Sequence, residues 1–330
     1  MSHGFARILV LRRRALGDLV TSLAALDDLR SGYPAATIDL VMDPPFVEAA
    51  LAWAPVSRVL SLPRPSGARW SFARGLRRAG YDLAIDLHGT PLTAILTWAS
   101  RAPRRVGLDL SGRSWAYTHR VTRLGSAMGE GGRPPYIADA LRAVVAAALP
   151  PEGLPARSRY ALGPAHHPPR RVALAPGATW RAKAWPEAHY ARLADLVRER
   201  WNAEVTIFWG PGEEALARRI ADRAPGALVA EAGTVVEFGK RLQEFDLLLS
   251  GDSGARHLAQ RIGVRTVAVF GPTDPWTQTP PGGAHRWLRH PIACAPCQLA
   301  ACPLAENYCM TRVTPEDLMA VATRAGAEAR

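Results

Sequence analysis

The stretch Leu249-Ser250-Gly251-Asp252-Ser253-Gly254-Ala255-Arg256-His257-Leu258 decides how the rest of the chain is read. A largely apolar run, Phe245 to Leu249, leads into it, and Leu258, Ala259 and Ile262 follow at helical spacing. The stretch is therefore the turn between a buried strand and a helix start. Amides at a helix start lack intrahelical partners, and the helix dipole is positive there. The small residues Ser253 and Gly254 let a phosphate approach those amides closely. Asp252 can accept hydrogen bonds from sugar hydroxyls, and His257 lies one turn further in. The turn suits an anionic, sugar-bearing ligand, although the same residues also suit a plain helix cap by Asp252 or Ser253.

Outward from this turn, strand-like and helix-like patterns alternate along the whole chain. Upstream, strands are expected at Arg7–Leu11, Thr37–Met42, Val59–Leu62, Leu83–Leu87 and Arg105–Leu108, with helices at about 17–31, 71–80, 91–100 and 136–148. The breaker-rich segments Leu149-Pro150-Pro151-Glu152-Gly153-Leu154-Pro155 and His166-His167-Pro168-Pro169 bracket a linker. The pattern then restarts with strands at 172–175, 204–208, 227–230, 246–249 and 266–270, and helices at 186–201, 213–224, 235–245 and 254–262. Strands separated by helices imply parallel sheets built from βαβ units. The expected organisation is α/β, with two doubly wound domains, residues 1–155 and 156–330, facing a cleft. Ligands in such folds lie at the carboxyl ends of strands, so function is sought in the turns that follow them.

Composition narrows the class. With 330 residues, 48% hydrophobic and 21% charged, the chain reads as a globular protein of two domains. It lacks the long apolar window of a membrane span, and Met1 to Arg14 reads as a first strand rather than a signal peptide, so a cytoplasmic location is expected. The net charge of +12 points to an anionic partner. That charge is dispersed and almost all arginine; only Lys183 and Lys240 are lysines. A phosphate-rich substrate or a lipid surface fits this dispersal better than nucleic acid. The turn after the first strand, Arg13-Arg14-Ala15-Leu16-Gly17-Asp18, is not G-x-G-x-x-G, and no G-x-x-x-x-G-K-[ST] occurs. Both absences argue against a nicotinamide dehydrogenase and a P-loop enzyme.

Four further turns carry candidate chemistry. Asp18, at a helix start after the first strand, is placed to act as a general base on a hydroxyl or simply to cap its helix. In Ala175-Pro176-Gly177-Ala178-Thr179-Trp180-Arg181-Ala182-Lys183-Ala184-Trp185-Pro186, the residues Gly177, Ala178 and Thr179 offer donors to phosphate, and Lys183 adds a compact positive charge. In Trp209-Gly210-Pro211-Gly212-Glu213-Glu214, Glu213 suits ribose hydroxyls or a helix cap. The last core strand ends in Phe270-Gly271-Pro272-Thr273-Asp274-Pro275, another tight turn, with Thr273 able to contact a ligand.

Leu16-Gly17-Asp18, the Pro-Gly-Ala segment through Lys183-x-Trp185-Pro186, Asp252-Ser253-Gly254-x-x-His257 and Phe270-Gly271-Pro272-Thr273 together resemble the ADP-heptose:lipopolysaccharide heptosyltransferases, glycosyltransferase family 9. The resemblance covers nearly the whole chain in order and spacing. It implies a GT-B fold and an inverting transfer that uses no metal and no cofactor. Asp18 is then the base that deprotonates the acceptor, with Lys183, Thr179, Ser253 and Gly254 stabilising the departing diphosphate. Asp252, His257 and Glu213 hold sugar or ribose hydroxyls. Ser253 departs from the family's usual Thr but keeps the hydroxyl. The partners implied are ADP-heptose and a lipid-linked lipopolysaccharide inner core, met at the inner face of the cytoplasmic membrane by peripheral contact. Arg13, His88 and Arg120 are the candidates for the acceptor side, each also readable as a structural or solvated residue.

The four cysteines Cys294, Cys297, Cys302 and Cys309 fall in one short Pro-rich segment. Their spacing suits either a structural metal or reduced thiols, and the expected chemistry uses no metal in either case.

Overall fold

The computed structural model describes residues 4–122, 134–150, 162–163 and 166–327. It divides into two units, residues 1–159 and 160–330. The expected boundary at 155/156 lies outside the described residues, as does most of the segment read as a linker. His166 belongs to the second unit, where its backbone N–H donates to Asp246 Oδ1 at 2.9 Å.

Each unit is built on a six-stranded parallel sheet. Strand β1 (Arg7–Leu11) of the first unit buries Ile8 through Leu11 completely. A run with no polar alternation is what a strand covered on both faces requires. The sheet runs β3 (Arg58–Ser61), β2 (Thr37–Met42), β1, β4 (Leu83–Asp86), β5 (Arg104–Leu108), β6 (His119–Val121). Its first helix, α1 (Leu16–Gly32), packs with α5 (Ile137–Ala146).

The second unit repeats the plan. Its sheet runs β12 (His285–Arg289), β11 (Arg265–Phe270), β10 (Leu247–Gly251), β7 (Arg171–Ala175), β8 (Glu204–Ile207), β9 (Leu228–Val229). In both sheets the order reverses beside the first strand, between β1 and β4 and between β7 and β10. Those are the switch points at which doubly wound sheets open a crevice for ligands. One detail recurs at the opposite ends of these strands. Asp82, just before β4, accepts the N–H groups of Ala6 and Arg7 at 3.0 and 2.9 Å. Asp246, just before β10, accepts those of Arg170 and Arg171 at 2.8 and 3.0 Å. Burial raises the pKa of the Asp246 carboxyl, but its backbone donors outweigh that and hold it below the usual range.

The structure adds elements that the apolar patterning did not reveal. Strand β6 is three residues long and polar, and β12 mixes His, Arg and Trp. Both are edge strands, where pairing is not driven by burial on two faces. Helices α2 (Val47–Trp53) and α12 (Pro315–Ala327) were likewise unassigned. A signal for α12 was present, since Thr314 and Asp317 form a capping box (Asp317 N–H to Thr314 Oγ1, 3.1 Å; Thr314 N–H to Asp317 Oδ2, 3.2 Å). Its Leu318, Met319 and Ala322 complete the core of the second unit.

Candidate functional site

At the second unit's switch point the chain leaves β10 through Asp252 and Ser253 and enters α9 (Gly254–Arg261). Asp252 is buried and occupied on both oxygens. Lys183 Nζ and Thr273 Oγ1 donate to Oδ2 at 2.7 and 2.8 Å, and Arg256 Nη2 donates to Oδ1 at 2.9 Å. Burial raises the carboxyl's pKa, but Arg256 and Lys183 outweigh it and hold Asp252 well below the usual carboxylate range. It is therefore an anion that fixes two cations, and the three groups together carry one net positive charge. Arg256, only 1% exposed, also donates to the Gln278 carbonyl at 3.0 Å and stacks its guanidinium over Phe270, 5.0 Å from the ring centroid. Its Nη2 lies 3.2 Å from His257 Nε2.

The start of α9 is open in a specific way. Ser253 is the N-cap residue, yet its side chain makes no cap hydrogen bond, and its buried hydroxyl has no partner. A buried unpaired hydroxyl costs free energy unless something is bound to it. It sits among unpaired helix amides, three residues before the fully buried Arg256.

The loop after β7 supplies the facing wall. Gly177 lies so close to Glu213 that a Cβ there would meet its carboxylate oxygens at 2.1 and 2.4 Å. Glu213 precedes α7 (Glu214–Arg223) and accepts the Gly210 N–H at 2.9 Å. The second and third turns singled out in the sequence are thus in contact. Lys183, in a short 3-10 turn, lies over the Trp180 ring at 4.5 Å as well as on Asp252. Ala178 is half-buried and Thr179 exposed on the same loop. The cysteine segment braces two of these turns. Ala182 N–H donates to the Ala300 carbonyl at 3.0 Å, Asn307 Nδ2 to the Ala182 carbonyl at 2.8 Å, and Gln298 N–H to the Pro272 carbonyl at 2.8 Å. Gly271 is needed because a side chain there would strike Met310 Sδ and Cys309 Sγ. All four cysteines are free thiols, burial pushes the Cys309 thiol up to about 11, and no group of three or more His, Cys, Asp or Glu among the described residues is arranged to hold a metal ion.

The first unit's switch point carries a different set. Asp18, in the first turn of α1, has a side chain 43% exposed. Arg12 Nη2 donates to its Oδ1 and the Ala15 N–H to its Oδ2, at 2.9 and 2.8 Å, which fixes the carboxylate and leaves each oxygen a further lone pair. Arg12 is buried and also donates to the Leu87 carbonyl at 2.5 Å, tying α1 to the end of β4. His88 follows β4, and burial and then the Arg12 charge pull its pKa down to about 4, so its imidazole is neutral at pH 7. Nearby Asp86 is fully buried, accepts the N–H groups of His88 and Gly89, and receives the Tyr117 hydroxyl at 2.8 Å. Arg13 is paired with Asp43 through two hydrogen bonds of 3.0 and 3.2 Å and, with Arg64 and Arg69, lines a cavity of about 110 Å³. Arg120 is exposed on β6, away from any ion pair recorded among the described residues.

Sequence reasoning named Asp18, His88, Lys183, Glu213, Asp252, Ser253, Gly254, His257 and Thr273 at these turns. It did not single out Arg12 or Arg256, the two buried arginines that hold the key carboxylates. The four-residue step from Asp252 to Arg256 at a helix start was the one available signal.

The family model "Glycosyltransferase family 9 (heptosyltransferase)" matches residues 69–128 and 153–307. The chain is 28% identical to lipopolysaccharide heptosyltransferase 1 of Pseudomonas aeruginosa, over 94% of this chain and 95% of that protein. Among solved structures, a family 9 glycosyl transferase from Veillonella parvula aligns with a TM-score of 0.76 at 19% identity, covering 99% of each chain. E. coli heptosyltransferase WaaC with ADP-2-deoxy-2-fluoro heptose aligns at 0.73 and 20% identity, covering 95% of this chain and 98% of that one. At such identities the likeness concerns the fold, which is GT-B. No helix among the described residues is long and apolar enough to cross a membrane.

Proposed function

The chain belongs to glycosyltransferase family 9, the heptosyltransferase family, and from that premise we propose that it moves a heptose from ADP-heptose to the inner core of a lipid-linked lipopolysaccharide acceptor, with inversion and without a metal ion. Residues 156–330 bind the donor and residues 1–155 the acceptor. The diphosphate lies at the start of α9, on the Ser253 hydroxyl and the amides of Ser253 and Gly254. Ala178 and Thr179 add donors from the β7 loop, and Lys183 supplies a positive charge. Glu213 and His257 hold hydroxyls of the ribose or sugar. Asp252, filled by its own partners, positions Lys183, Thr273 and Arg256.

Asp18 takes the proton from the acceptor hydroxyl. The acceptor oxygen attacks the anomeric carbon as the bond to the β-phosphate oxygen breaks, and ADP leaves with the electron pair. One displacement from the opposite face inverts that carbon. The charge gathering on the leaving diphosphate meets fixed donors and one net positive charge, which is the electrostatic help a metal gives elsewhere. His88, neutral at pH 7, lines the acceptor side, and Arg13 and Arg120 meet its anionic groups. Because this acceptor is anchored in lipid, the enzyme works as a peripheral protein at the inner face of the cytoplasmic membrane.

The observation that carries the reading is the paired Lys183–Asp252–Arg256 cluster beside an unpartnered buried Ser253 hydroxyl at the start of α9. Calorimetric titration with ADP-heptose, ADP, UDP-sugars and GDP-sugars in EDTA tests it. Selective binding of ADP-heptose and ADP is expected. Preference for another nucleotide would keep the fold and discard the donor, and binding that depends on a divalent cation would discard the metal-free mechanism.

A further inference from the structure

The charge of the molecule is unequally divided. Residues 1–159 carry 21 arginines against 12 acidic residues, and residues 160–330 carry 20 basic against 17 acidic residues. Within residues 61–120 the imbalance is sharper still, ten arginines against Asp82, Asp86 and Asp109. Asp86 is fully buried and cannot screen any of them.

The same stretch exposes large apolar side chains. Helices α3 (Ser66–Arg78) and α4 (Pro91–Ala99) pack side by side, and both send leucines, Leu76 and Leu96, into one core cluster under the sheet's face. Their outward stripes are therefore on the same side of the unit. On α3 that stripe is Trp70, Arg74 and Arg77, at helical steps of four and three. On α4 it includes Ile95 and Trp98. Trp70 is 74% exposed, and Ile95, Trp98 and Trp115 are 45%, 45% and 52% exposed. Trp115 sits edge-on to Trp98 with ring centroids 6.0 Å apart, and the Arg101 guanidinium lies 5.3 Å over the Trp98 ring. Single exposed tryptophans are unremarkable, but a pair braced against each other and topped by an arginine is a patch.

We propose that this face of the first unit docks on a bilayer surface rich in anionic lipid, with Trp98, Trp115 and Ile95 entering the headgroup region and Trp70, Arg74, Arg77 and Arg101 beside them. Indole rings partition to that depth because one edge is apolar and the N–H stays hydrated, and each arginine close to an anionic surface adds attraction. A second copy of this chain fits the face poorly, since a two-fold contact would set arginines against arginines. The inference builds on the reading of a lipid-linked acceptor, which it supplies with an approach surface, but the vesicle binding that tests it involves neither donor nor acceptor.

Flotation of the purified chain with vesicles of phosphatidylcholine alone, and with phosphatidylglycerol added, provides that test, read together with tryptophan emission. Binding to the anionic vesicles with a blue shift is expected, falling as salt is raised. Trp98→Ser with Trp115→Ser should weaken it about tenfold. Arg74→Gln with Arg77→Gln changes only exposed positions and should weaken it roughly thirtyfold, at about 1 kcal/mol for each arginine. Both variants should turn over a water-soluble acceptor fragment at the parent rate. Equal binding to both vesicle types, no binding to either, or binding that neither variant alters would overturn the proposal. A change in oligomeric state of the tryptophan variant, without a change in vesicle binding, would assign the face to a second copy instead. Turnover on the soluble fragment in any of these cases leaves the transferase reading standing.

Discussion

Two carboxylates follow strands that flank the switch points of the two units, and their surroundings differ completely. Asp18 follows β1 and Asp252 follows β10, the counterpart of β4, each beside the point where its sheet's order reverses. The side chain of Asp18 is 43% exposed and holds one arginine, whereas that of Asp252 is 4% exposed and holds a lysine, an arginine and a hydroxyl. Both folds place a negative charge at the mouth of the crevice. In the first unit the carboxylate faces solvent with lone pairs to spare, as a proton acceptor needs. In the second its charge is used up internally, and what faces outward is the cation it fixes. The first unit thus carries an open carboxylate, which suits the proposed base, and the second a carboxylate closed by cations, which suits the proposed anion site.

The largest effect separating the two should come from Asp18→Asn. Asparagine keeps the shape and still accepts a hydrogen bond from Arg12 or the Ala15 amide, so the helix start should hold. It cannot take a proton. Turnover should fall by about 10²–10⁴-fold while ADP binding by calorimetry stays within about twofold of the parent. Equal loss of turnover and of ADP affinity would mean that the two carboxylates do not divide the work in this way.

Asp252→Ala should do the reverse, acting on folding and donor binding together. Lys183 can swing to solvent, but Arg256 cannot, and an unpaired buried guanidinium costs about 3–5 kcal/mol. The thermal midpoint should drop by many degrees, and ADP affinity should fall with it as Lys183 loses its anchor. Lys183→Met separates the two roles, because it leaves the Asp252–Arg256 pair intact. Its stability should change little, and its ADP affinity should fall by about 10–100-fold, the worth of a charge-assisted contact. A Lys183→Met protein with parent affinity would remove that lysine from the donor site.

How much of this was legible beforehand follows from the same physics. Strands covered on both faces are continuous apolar runs, so β1 and β2 were bounded correctly and β10 was found with its end two residues short. Edge strands β6 and β12 are polar and carry no such mark. Turns at strand ends were legible because Gly, Pro and Asp have local reasons to be there. The inside of the site was less so. Thr273 reaches Asp252 across 21 residues, and the cysteine segment clamps Ala182 and Pro272 from a distance in sequence that no spacing rule spans. Nor does any local pattern mark an arginine as buried. Arg12 and Arg256 belong to a chain with arginines everywhere, and only the partner carboxylate reveals that these two are inside.

Each unit also holds a histidine, His88 in the first and His285 in the second, that burial, with nearby arginines, brings down to about 4, which extends the comparison to acid. In the unfolded chain each returns to about 6.5. Between those values the unfolded state binds more protons than the folded one, so stability is complete above about pH 6.5 and is lost as pH falls toward 4. The thermal midpoint should decline by a few degrees between pH 7 and pH 5. His88→Gln and His285→Gln should each remove part of that decline, and a midpoint unchanged across this range would mean that neither imidazole is shielded.

The smallest expected effect probes the sharpest feature of the proposed donor site. In Ser253→Ala the folded protein gives up no internal hydrogen bond, because the hydroxyl makes none. Deleting a buried, unpaired hydroxyl should leave the thermal midpoint unchanged or slightly raised. Any loss must then appear against ligand, and one contact to an anionic diphosphate corresponds to about a tenfold drop in ADP affinity. The contrast with Asp252→Ala is the informative part. There affinity and stability fall together, because a structural anion has been removed, whereas here affinity should fall alone. A Ser253→Ala protein that binds ADP as tightly as the parent would move the phosphates away from the start of α9. The unpartnered hydroxyl would then need some other ligand.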